Sequence, residues 1–175
     1  MNMFNIIMIL FLLERTGSTY LVNAQCTVNF TVVNAGIEVE GTLKVKNANI
    51  QFDPDNLRQA SIQVSADPSS IETGIGIRDK HLKRSDYFDT NTYPEIRLQS
   101  KSFHATGKNE FEGKFDLTIK SITKEIPIAF TRKNKGDAIY YEGNLEINRL
   151  DFRIGEESLT LDEIVRVSVS ATGTF

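Results

Sequence analysis

The sequence predicts an all-β chain: an antiparallel barrel of eight strands, interrupted once by a short helical crossing near residues 79–88. Three observations carry that expectation. From Val28 onward, apolar and polar residues alternate with the period of two that a strand imposes. The breaks between runs are short and rich in Asn, Asp, Gly and Pro, as hairpin connections require. Several runs reach about ten residues with a glycine near the middle, at Gly41, Gly113 and Gly143. Such runs suit bent barrel strands better than the shorter strands of a sandwich.

Taken in order, Val28, Phe30 and Val32 form the first run, ended by Asn34-Ala35-Gly36. Ile37 to Val45 alternates next, with charge on its other face, until Asn47-Ala48-Asn49 marks a break. Ile50 and Phe52 open another strand, closed by Asp53-Pro54-Asp55-Asn56, and Ser61 to Ala66 follows up to Asp67-Pro68. The alternation then stops. Between Asp79 and Phe88 the chain is mostly charged, with Leu82, Tyr87 and Phe88 as its main apolar residues, and one or two helical turns are expected from Asp79. Asp89 to Thr92 makes a turn, and Tyr93-Pro94 returns the chain to extended geometry. Strands resume at Ile96–Phe103, Phe111–Ile119, Ile126–Phe130, Ile139–Ile147 and Val165–Phe175. Pro127 offers no ladder donor, so its strand must begin there, bulge there or lie at an edge.

Composition narrows the function classes. A net charge of −3 with scattered Lys and Arg argues against a nucleic-acid surface or a polybasic membrane patch. Cys26 is the single cysteine, so there is no intrachain disulfide. His81 and His104 are the only histidines, too few and wrongly spaced for a histidine-rich metal site, and no nucleophile elbow, P-loop or dinucleotide fingerprint occurs. The expectation is a binding protein without cofactor, metal or catalytic residue. Residues 1–24 read as a signal peptide: Ile6–Leu13 is apolar but too short for a membrane span, and Val22-Asn23-Ala24 supplies small residues for cleavage before Gln25. The alternative is an N-terminal strand or a disordered leader. Residues 25–175 then form one barrel domain of an exported chain.

Four segments carry a resemblance to a known family. They are Ser70-Ile71-Glu72-Thr73; Arg78-Asp79-Lys80-His81-Leu82 with Asp86-Tyr87-Phe88-Asp89 and Tyr93-Pro94-Glu95-Ile96; Gly113 to Lys120 with Thr123-Lys124; and Asn148-Arg149-Leu150-Asp151-Phe152. In that order they resemble the YceI-like family of exported, lipocalin-like barrels. Ser121 and Arg153 stand where the family commonly has glycine, and its Trp and Asp-x-x-His-Ser opening are absent.

The resemblance implies a bacterial protein, periplasmic or secreted, that carries a long-chain isoprenoid or similar amphiphilic lipid in an apolar tunnel through the barrel. Eleven Phe and no Trp suit a hydrocarbon-like lining. The candidate lining is Phe30, Val32, Val39, Leu43, Phe52, Val64, Phe115, Leu117, Phe130, Tyr141 and Leu145. Head-group candidates are Arg78, His81 and Arg149, with Asp79 and Asp151 beside them. Against this stands a structural role for Arg149, as an ion pair with a nearby carboxylate that ties the crossing to the rim. Two rival functions are a filled barrel serving as a protein-interaction or stress-protective module, and an enzyme with a polar pair facing the interior. A homodimer is compatible with each.

Overall fold

The computed structural model describes residues 20–22 and 24–174, with side chains from Ala24 onward. The expected leader's apolar run, Asn23 of its cleavage site and the terminal Phe175 lie outside these residues. Among the described residues the strands are β1 (Tyr20–Val22), β2 (Gln25–Asn34), β3 (Ile37–Gln51), β4 (Ser61–Glu72), β5 (Ile96–Gly107), β6 (Glu110–Ile119), β7 (Ile122–Lys135), β8 (Ala138–Asn148) and β9 (Ile164–Thr174). Every pairing is antiparallel, in the order β1-β3-β2-β9-β8-β7-β6-β5-β4. β3 also pairs with β4, which closes β2–β9 into an eight-stranded barrel. β1 takes no part in closure. It pairs with Asn49–Gln51 of β3 and continues the line of β2, joined by an Ala24 N–H donated to the Ala48 carbonyl at 3.1 Å.

Two expected breaks are absent, and both failures have one cause. β3 runs straight through Asn47-Ala48-Asn49, because register shifts between Thr42/Lys44 and Val45/Asn47 bend it without ending it. β4 likewise runs through Asp67-Pro68. Its pairing to β3 steps from Lys44↔Asp67 to Thr42↔Glu72, so Pro68, Ser69, Ser70 and Ile71 all face Leu43. The Ser70 hydroxyl accepts the Lys44 N–H at 2.8 Å in place of a ladder carbonyl and donates to the Asp67 carbonyl at 2.6 Å. Bulges recruit the same small polar residues and proline that turns do. Pro127 takes the edge option: it pairs with Lys114 of β6 but lies beyond Ala129, where pairing to β8 ends.

The helix of the crossing, α1, spans Gly76–Leu82 and so begins ahead of Asp79. Asp79 does not open it. Its Oδ1 reaches back to accept the Thr73 N–H at 2.9 Å and the Thr73 hydroxyl at 2.6 Å, locking the approach from β4. Beyond Leu82 the crossing is a chain of turns, including Phe88 N–H to Leu82 carbonyl at 3.1 Å and Tyr93 N–H to Asp89 carbonyl at 2.9 Å.

The mid-strand glycines each face a phenylalanine across the sheet: Gly41 opposite Phe30, Gly113 opposite Phe103 and Gly143 opposite Phe130. At Gly41 and Gly113 a Cβ would collide with the facing ring, so the glycines make room for inward aromatics as well as bending the strands.

A one-ended apolar cavity

The connections β2–β3, β4–β5, β6–β7 and β8–β9 share one end of the antiparallel barrel, here called the mouth. The opposite end is filled. Fully buried Phe52 stands edge-on to Phe103, Phe111, Phe130 and Tyr141, with ring centroids 5.0 to 6.0 Å apart. Ile50, Ile62, Phe115, Ile128 and Ile139 complete this floor. Arg132 and Tyr141, paired across β7–β8, are buried in the same region.

Between floor and crossing lies a cavity of about 310 Å³, within the size range of ligand pockets, roughly 300–1,000 Å³. Inward positions of β2, β3, β4, β5, β6, β8 and β9 form its wall, and α1 with the 149–163 connection covers part of its mouth. Alternation predicts such a wall, since every second residue of a barrel strand points inward.

Of the expected lining, Phe30, Val32, Val39, Leu43, Val64, Leu117 and Leu145 are on this wall. Phe52, Phe115, Phe130 and Tyr141 are not; they belong to the packed floor. The phase of a strand reveals which residues point inward, but their height along the barrel depends on register and shear. The interior is therefore hollow at one end and filled at the other, rather than a tunnel. Val165, Val167 and Val169 of β9 also line the cavity, as do Ile96 and Leu98 of β5. Their alternation was readable in the sequence, yet they are missing from the expected lining. Tyr87, Phe88 and Leu161 reach the cavity from irregular segments, where no period could announce them.

Arg78, His81 and Arg149 all meet at the mouth. Arg78 donates from Nε to the Thr73 hydroxyl at 2.7 Å and from Nη2 to the Thr73 carbonyl at 2.8 Å. Half-exposed His81 lies 3.9 Å from Asp86 and edge-on to Tyr87. Arg149 is only 3% exposed, and its expected carboxylate partner is absent among the described residues. Instead it donates to three carbonyls: Nε to Asp162 at 3.0 Å, Nη1 to Ile154 at 2.9 Å and Nη2 to Leu161 at 3.2 Å. The chain 149–155 forms a tight 3₁₀ turn at Arg149–Phe152, ended by Arg153 in the left-handed region (φ 52°), which brings Ile154 back onto Arg149. Asp151 is not on the wall; its exposed carboxylate lies 3.5 Å from Lys124. Among the described residues no cluster of three potential metal ligands occurs, and no helix is long and apolar enough to cross a membrane.

The family model for the YceI-like domain matches residues 20–173. A UPF0312 protein of Ectopseudomonas mendocina is 27% identical over 153 residues, covering 83% of this chain and 80% of that protein. One from Pseudomonas savastanoi pv. phaseolicola is 30% identical over 145 residues, covering 77% and 76%. Among solved structures, Burkholderia cenocepacia BcnA aligns with a TM-score of 0.81 at 24% identity, over 85% of this chain and 96% of that one. A polyisoprenoid binding domain from Saccharophagus degradans, implicated in plant cell wall breakdown, aligns at 0.68 and 13% identity, over 89% and 97%. The structural likenesses establish the shared barrel, and the domain match runs from β1 into β9: the chain belongs to the YceI-like family.

Proposed function

We propose that this protein is an exported, non-enzymatic carrier for one long-chain amphiphile of the isoprenoid or similar lipid class. The chain lies in the barrel cavity, and the head group meets Arg78, His81 and Arg149 at the mouth. The observation that carries this reading is the cavity itself, about 310 Å³ with a mostly apolar wall. Burial contributes about 0.8 kcal/mol per methylene, so ten buried carbons give roughly 8 kcal/mol before the costs of association. No charged contact is needed for that part of the affinity. The polyisoprenoid-binding description of the Saccharophagus relative supports the ligand class.

The test is an organic extract and a native mass spectrum of protein purified from its own host. A bound amphiphile with an extended hydrocarbon chain is expected. A cavity-filling variant, Leu145→Trp, should then lose at least tenfold in affinity for such a chain while retaining its circular dichroism. Recovery of ligand-free protein that ignores every long-chain probe would remove the proposal.

A further inference from the structure

Arg149 at the mouth is a buried cation whose neighbours bring no negative charge. The carbonyls of Asp162, Ile154 and Leu161 orient the guanidinium through one N–H on each nitrogen. A guanidinium has five N–H donors, so each Nη keeps one for a further acceptor. No carboxylate among the described residues lies within 4.0 Å of it. The acidic side chains nearby in sequence are engaged elsewhere or turned outward. Asp151 faces Lys124 at 3.5 Å, Glu163 accepts from the Asn148 amide at 3.1 Å, and exposed Asp162 gives Arg149 only its backbone carbonyl. Carbonyl dipoles soften the desolvation of a buried charge but leave it uncompensated.

The second arginine at this mouth has capacity to spare as well. Arg78 uses Nε and Nη2 on Thr73, and no partner is found for Nη1 among the described residues. Asp79 couples to it only through Thr73. His81 faces Asp86 and Tyr87. The other buried arginine, Arg132, is in the floor and does not reach the cavity. The mouth therefore presents two guanidinium groups to a ligand whose tail would lie among apolar side chains.

We propose that the ligand's head group is an oxyanion, a carboxylate or phosphate carried on the chain, and that Arg149 is the residue that recognises it. This deepens the carrier reading above and rests on it. Planar, paired N–H donors match the oxygens of either group, and a charge-assisted bond made away from water is stronger than one made at the surface.

The experiment compares dodecyl phosphate, dodecanoate and dodecanol as ligands of the full chain by calorimetry, with inorganic phosphate alone as a further probe. The two anions should bind about tenfold to a hundredfold more tightly than the alcohol. Arg149→Gln should bring all three chain ligands to similar affinity, and Arg149→Lys should restore part of the preference. Equal binding of anions and alcohol by the unaltered protein would overturn the oxyanion assignment while leaving the carrier reading intact. Failure to bind any of the chain ligands would sink both. Binding of inorganic phosphate as tightly as dodecyl phosphate would also overturn the proposal, because the oxyanion would then need no chain. Should Arg149→Gln fail to fold, the comparison in unaltered protein still decides, and Arg78→Gln, expected to weaken only the anions, gives the second reading.

Discussion

At Arg153 and Gly155 two residues of the mouth turn share a left-handed backbone but not a consequence. Arg153 adopts φ 52° with an exposed side chain, and Lys120 holds only its carbonyl, at 2.9 Å. Arg153→Gly should therefore stabilise the protein by about 0.5–1 kcal/mol, read as a higher urea midpoint at unchanged slope. Gly155 has φ 66°, and a Cβ there would meet the Tyr87 ring at 3.0 Å and Arg149 Nη1 at 3.3 Å. Gly155→Ala should lower the midpoint and weaken binding together, since it presses on two residues of the cavity mouth. Cys26 supplies a pH prediction. Burial pushes its thiol from the ordinary 9.0 up to about 11 by penalising the thiolate. Below pH 9 both folded and unfolded chains keep the proton, so stability is unaffected by this group. Between 9 and 11 the unfolded chain releases it first, so stability falls as pH rises through that window. Iodoacetamide labelling of folded protein at pH 8 should accordingly be far slower than labelling in urea.

At the scale of elements, the phenylalanine–glycine pairs link sheet curvature to the interior. Phe30 lies on the cavity wall with its ring against Gly41. Gly41→Ala should displace that ring and cost about 1–3 kcal/mol by overpacking, and adding Phe30→Leu should recover most of the loss. Both are measurable by urea denaturation. The floor offers the opposite experiment. Phe52 has no exposed surface and four edge-on aromatic neighbours, so Phe52→Ala should cost about 3–5 kcal/mol through the void it leaves. The succession of strands and their inward faces were legible because a period of two survives in any half-buried strand, and the crossing because that period stops there. The continuity of β3 and β4 was not, because Asn47-Ala48-Asn49 and Asp67-Pro68 serve bulges with turn-like residues. Nor was the division of phenylalanines between wall and floor, since Phe30 and Phe130 have the same inward phase at different heights.

For the whole molecule, closure of β2–β9 does not involve β1. Removal of an export leader after Ala24 would thus leave the closed sheet complete, and the intact mass of mature protein is expected to correspond to a chain starting at Gln25. The fate of Arg149 was the least legible part of the site. Its acceptors at Ile154, Leu161 and Asp162 come from a connection that folds back on the barrel through an Asp162 N–H to Val33 carbonyl bond of 2.9 Å. No local pattern in the sequence announces such a return.

The filled floor has a consequence for cargo. A vessel sealed at its base can be loaded and emptied only through the same opening, so a carried amphiphile would go in tail first and its polar end would remain beside the exit. Affinity for such a chain should climb with each added methylene until the tail reaches the closed end of the cavity, above Phe52 and its neighbours, then level off as further carbons stay in water. The aromatic stopper would act as a gauge of tail length.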